Sequence, residues 1–220
     1  MCGRFALSSD TREIRQRFGL RDAPDVKSRF NVAPGSVMPV VTTDDPRTAV
    51  LARWGLIPSW ARDPKIGYRM INARAETLGE KPAFRGPFRN KRCLIPASGF
   101  YEWKQLDGEK VPFYIHHAGE PVFAFAGLYD VWKDAEDRPL MTFTIITTRP
   151  NDLMKPIHDR MPVILARNYE RKWLDSGVSD PEMLRPMLVP YAGGGLEAYP
   201  VSKAVNNPEN DSPGLTAARP

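Results

Sequence analysis

A chain of 220 residues with 42% hydrophobic and 26% charged side chains can bury one substantial core, which excludes wholesale disorder. No run approaches the roughly 20 apolar residues of a membrane span, no basic-then-apolar leader opens the chain, and two cysteines without a leader point to a reducing, cytoplasmic setting. A net charge of +5 and a pI near 9.3 favour an anionic partner, without deciding which.

The chain opens on MCGRF, with Cys2 directly behind the initiator methionine. Either Cys2 is a small residue entering a first strand, or removal of Met1 leaves an α-amine and a thiol on one residue. SSDTREIRQRFGL predicts a helix, with Asp10 as its cap, Glu13 completing a capping box, and Ile14 and Phe18 on one face. VMPVVTT and TAVLARW predict a hairpin across the turn-rich DDPR. CLIPASGFYEW, PFYIHH, PVFAFAGLYDVW and LMTFTIITT follow as β-rich runs, and NYERKWLDSG and DPEMLRPML as two late helices. The polar, proline-bearing stretch after Asn206, residues 207–220, is expected to be a mobile tail. The expected class is therefore α+β: one domain over residues 2–206, mostly antiparallel sheet with peripheral helices.

Chemistry-bearing residues each admit two readings. Arg53, Arg62, Lys65, Arg69, Arg74 and Arg92 interleave with Trp54, Trp60 and Tyr68. That mixture suits a single nucleic-acid strand, whose phosphates need charge and whose bases need stacking surfaces, or it is a solvated basic face above core aromatics. Glu102 sits in an aromatic strand; it is either a desolvated acid–base group or a residue alternating outward to water. His158, in KPIHDRMPVIL, either belongs to a site or lies in a surface turn where Asp159 and Arg160 pair. Asn72, Arg74 and Glu76 recur with period two, as the wet face of a strand also would. Cys93 reads as a buried hydrophobe, and adjacent His116 and His117 point to opposite faces of a strand, so no metal site is expected.

In chain order, MCGRF, NVAPG, WGLIPSWA, INARAET, IPASGFYEW, AGLYDVW and IHDRMPVIL span nearly the whole sequence. Together they resemble the SOS response-associated peptidase (SRAP) family, whose members handle abasic sites in DNA. One departure is TTRPN, where a small residue is expected in place of Arg149 or Pro150. The resemblance implies a barrel-like, β-rich domain that uses no metal and no diffusible cofactor. It implies a catalytic set of Cys2, Asn72, Glu102 and His158, with Arg4 and Arg74 on phosphates and Trp54 and Trp60 near the DNA channel. The implied partner is single-stranded DNA containing abasic sites, met by a monomer that is cytoplasmic and nucleoid-associated when bound.

The implied chemistry explains the pairing of functions at residue 2. An abasic sugar opens to an aldehyde, which a terminal amine captures as a Schiff base and a neighbouring thiol closes to a thiazolidine. Strand scission from the Schiff base and reversal of the crosslink belong to the same set. Two alternatives stand beside it: a thiol peptidase or autopeptidase with Cys2 as nucleophile, and a non-catalytic module for single-stranded DNA.

Overall fold

The computed structural model describes residues 2–219. β1 (Phe5–Leu7) leads into α1 (Thr11–Phe18), where Asp10 and Glu13 form the reciprocal capping box that the sequence predicts. β2 (Arg29–Val32) precedes the expected hairpin of β3 (Val37–Thr42) and β4 (Ala49–Trp54). An excursion then leads to β5 (Asn72–Arg74) and α2 (Pro82–Asn90). Two glycines close its base: a side chain on Gly55, at φ 120°, would meet the Gly67 carbonyl oxygen at 2.8 Å.

CLIPASGFYEW divides into β6 (Arg92–Ala97) and β7 (Gly99–Leu106), which belong to different sheets. The corner requires Gly99, because a Cβ there would meet the Tyr114 ring at 2.4 Å. β8 (Glu109–His117), β9 (Phe123–Lys133), β10 (Pro139–Thr148) and the short β11 (Met161–Pro162) follow. The two late helices are α3 (Arg167–Trp173) and α4 (Pro181–Leu184), and β12 (Leu196–Pro200) is the last strand.

β10, β4, β3, β6 and β9 pair in that order, and β9 pairs back onto β10 to close a five-stranded ring. Its ladders are antiparallel except between β10 and β4. β5 continues along β10 where β4 leaves it, with Asn72 opposite Ile145 and Arg74 opposite Thr147. The second sheet, β12-β8-β7-β1-β2, is antiparallel throughout. Alternation along β1 sorts the two cores: Phe5 and Leu7 enter the main one, and Ala6 joins Tyr101, Tyr114, Val201, Val205 and Leu215 on the other face. The fold is thus α+β, with a barrel-like sheet, and among the described residues no helix is long and apolar enough to cross a membrane.

The stretch expected as a mobile tail differs from expectation. Leu215 is buried, and the Asp211 carboxylate accepts from Arg29 and from the backbone N–H groups of Phe30 and Asn31. The Arg219 N–H reaches the Pro200 carbonyl at 2.9 Å. A polar composition concealed one apolar anchor and one carboxylate aimed at unpaired backbone donors.

Candidate active site

β1 and β7 bring the two ends of the site together. The backbone N–H of Tyr101 donates to the Arg4 carbonyl at 3.0 Å, so the residues before β1 run beside Glu102. Cys2 is fully buried there, with its thiol 3.8 Å from the Arg4 carbonyl oxygen. From the other side, the Asn72 amide on β5 donates to the Cys2 carbonyl at 2.8 Å. The Asn72 side-chain oxygen is buried and has no hydrogen-bond partner among the described residues. Burial, and then the nearby Glu102 charge, push the Cys2 thiol well above its ordinary pKa.

Glu102 is 2% exposed, which decides between its two readings. Alternation along β7 puts Glu102 on the side of Phe100, which faces the main core, while Tyr101 takes the other side under Val201, Val205 and Leu215, so neither face is wet in the first half of the strand. Desolvation raises the Glu102 carboxyl to about 7. The His158 ring stands across from it, with Nε2 3.9 Å from Oε2. His158 Nδ1 lies 2.9 Å from an Asp159 carboxylate oxygen and 3.0 Å from the Arg160 backbone N–H, and Nε2 is the ring nitrogen turned toward Glu102. Burial lowers the His158 pKa, so the neutral ring prevails at pH 7.

Arg160 does not pair with Asp159. Its guanidinium forks onto Glu76 at 2.7 and 2.9 Å and reaches the Thr147 carbonyl at 2.7 Å. It thereby ties the loop of His158 to β10 and to the turn that follows β5. Its position in the motif IHDR was visible in the sequence, but the Glu76 partner 84 residues away was not.

The residues expected on DNA separate into two groups. Arg74 is exposed at the end of β5, with no ion pair or side-chain hydrogen bond among the described residues, and Trp60 is 60% exposed. Trp60 and Tyr68 share the tip of the 55–70 excursion with Arg62, Lys65 and Arg69, around a cavity of about 540 Å³. Trp54, by contrast, is 1% exposed; it lies edge-on to Phe5 at 5.2 Å and donates its indole N–H to the Ile71 carbonyl. It is a core residue and is withdrawn from the DNA-facing set. Arg92 is likewise buried, bonded to the carbonyls of Trp173 and Asp175.

Arg4 is half-buried, and its Nη1 donates to Asn31 Oδ1 at 2.7 Å and to the Val205 carbonyl at 2.8 Å. Part of its donor fork is therefore occupied inside the protein. Asn31, fully buried, also donates to the carbonyls of Asn207 and Asn210, a hub that no local sequence signal announces. Met1 lies outside the described residues. Among those residues no group of three or more His, Cys, Asp or Glu is placed to hold a metal ion.

The SOS response associated peptidase (SRAP) family model matches residues 1–208. The abasic site processing protein YoqW of Bacillus subtilis is 49% identical over 98% of both chains. The abasic site processing protein HMCES of Xenopus tropicalis is 32% identical over 99% of this chain and 78% of its own. A crystal structure of a protein from Bacteroides thetaiotaomicron superposes with a TM-score of 0.89 at 31% identity, over 99% of this chain and all of that one.

Proposed function

This chain belongs to the SRAP family, and from that membership we propose that it captures abasic sites in single-stranded DNA through Cys2, once Met1 has been removed. The observation that carries the reading is the convergence on one residue. Asn72 holds the Cys2 carbonyl at 2.8 Å, while a carboxyl raised to about 7 and a neutral imidazole stand beside the same chain end.

The raised thiol pKa orders the steps. A thiol held protonated is a poor first nucleophile, whereas a free terminal amine titrates near 8 and is partly unprotonated at neutrality. The amine therefore adds first to the sugar aldehyde, and loss of water gives the imine. Glu102, half ionised near pH 7, is suited to taking the proton that the amine sheds and returning one to the departing hydroxyl. The thiol then adds across the C=N bond: sulfur bonds to carbon, and its proton passes to nitrogen. Because both nucleophiles sit on one residue, ring closure is intramolecular and fast.

Asn72 orients residue 2, and its unpartnered oxygen is available to the terminal amine or a sugar hydroxyl. His158, with Nε2 turned toward Glu102 and Nδ1 beside Asp159, is suited to proton exchange with the sugar oxygen during ring opening, scission and reversal. Exposed Arg74 would hold a flanking phosphate without reading sequence. The buried, protonated thiol disfavours the peptidase reading, which needs a thiolate. Incubation with an abasic single-stranded oligonucleotide tests the proposal: a denaturation-resistant protein–DNA band is expected, and its absence overturns the reading.

A further inference from the structure

The row of site residues continues past Arg74. In the parallel pairing of β5 with β10, Asn72 lies beside Ile145 and Arg74 beside Thr147. Alternation places the next residue of that face at Arg149, one strand step of about 6.6 Å beyond Thr147. β10 ends at Thr148, and Pro150 favours extended backbone at the residue before it. Arg149 is exposed and makes no ion pair or side-chain hydrogen bond among the described residues.

Arg149 borders a cleft of about 240 Å³ whose walls include Ala75, Leu188, Val189 and Pro190. Val189 is 48% exposed there, an apolar side chain left open beside a cation. Two other charged groups line the cleft, and both are engaged. The Glu76 carboxylate is held by both branches of the Arg160 fork, and Arg185 lies 3.2 Å from Glu182. The unengaged charge is Arg149.

We propose that this cleft is a nucleotide subsite: Arg149 takes a phosphate of the DNA strand beyond the one held at Arg74, and the neighbouring base lies on Val189 and Pro190. The proposal rests on the single-stranded DNA reading above. The contact offered to the base by Val189 and Pro190 is apolar and carries no base-edge code, so the subsite is expected to bind with weak base preference. It lengthens the grip on one side of the abasic residue only, because β5 and β10 run away from Cys2 in one direction.

Fluorescence anisotropy with single-stranded oligonucleotides carrying a tetrahydrofuran abasic analogue tests this. Arg149→Ala is expected to weaken binding several-fold and to lower the slope of log affinity against log salt by about 0.7, the loss of one phosphate contact. Arg149→Lys keeps the slope. Val189→Ser weakens binding with the slope unchanged. In crosslinking to true abasic DNA, the Arg149→Ala change falls on the half-saturating DNA concentration, with a smaller change in maximal rate. Trimming the oligonucleotide on one side of the abasic residue abolishes the difference between Arg149→Ala and wild type, and trimming the other side preserves it. Unchanged affinity and slope in Arg149→Ala, or a loss indifferent to which side is trimmed, overturns the subsite. Failure of the wild-type protein to bind any of these strands overturns the DNA reading itself.

Discussion

Asn72 and Cys2, 70 positions apart, are joined by a 2.8 Å hydrogen bond from the Asn72 amide to the Cys2 carbonyl. The bond fixes the backbone of the residue whose amine and thiol must meet one carbon atom. Removing it should slow capture more than it weakens DNA binding. Asn72→Ala is expected to reduce the crosslinking rate at saturating DNA by about tenfold, the equivalent of roughly 1.4 kcal/mol. Single-turnover time courses alongside equilibrium binding separate the two effects; equal losses in both would remove the orienting role.

Glu102 should give the reaction and the fold opposite dependences on pH. Its carboxyl stands at about 7 in the folded chain against 4.5 ordinarily, so between those values the folded state binds more protons than the unfolded one. Its contribution to stability is fully present below about 4.5 and is lost as pH rises through 7, at a rate of up to roughly 1.4 kcal/mol for each pH step of one. Capture should instead rise through pH 7 as the carboxylate forms. Glu102→Gln is expected to flatten the decline in stability and to remove the inflection in rate. Urea melts and rate profiles from pH 4 to 8 check both, and an unaltered rate profile in Glu102→Gln would exclude the carboxylate as the base.

Two tryptophans of one motif should part company. Trp54→Ala empties a core position against Phe5 and Phe143 and is expected to cost about 3–5 kcal/mol of stability. Trp60→Ala should leave the melt nearly unchanged while weakening single-stranded DNA binding, by up to about 1–3 kcal/mol if a base stacks on the indole. Calorimetry and anisotropy on the two variants give the comparison.

The segment after Asn206 is expected to stabilise the fold. Asp211→Ala removes the acceptor for Arg29 and for two backbone N–H groups, and should lower Tm by about 2–6 °C. A melt identical to wild type would return residues 207–219 to the status of a mobile tail.

What the sequence made legible was local. The capping box of Asp10 and Glu13 and the β3–β4 hairpin are each encoded within a short window, and both formed as read. The candidate residues Cys2, Asn72, Glu102 and His158 became a set through their resemblance to a family, and the fold brings them to one place. Periodicity could not say which face of β7 is inside, because both are covered: Tyr101 by Val201, Val205 and Leu215, about a hundred residues later, and Phe100, on the face of Glu102, by the main core. Nor could it tell Trp54 from Trp60: the first faces Phe143 of β10, a parallel pairing that no adjacent residue reports, and the second sits on an excursion closed by Gly55 and Gly67. The resemblance gave Arg4 a phosphate role, and its partners inside the fold, Asn31 and the Val205 carbonyl, lie 27 and 201 positions away, beyond any local reading.

The aminothiol mechanism is tested most directly by the stability of the adduct formed by Cys2→Ala. This variant keeps a terminal amine after Met1 is removed, but cannot close a thiazolidine. Wild-type protein and variant are incubated with one abasic single-stranded oligonucleotide, with and without borohydride, and denatured at matched times. The wild-type band is expected to survive without reduction, and the Cys2→Ala band only with it. An equally stable Cys2→Ala adduct without borohydride would show the thiol to be a bystander and would contradict the mechanism.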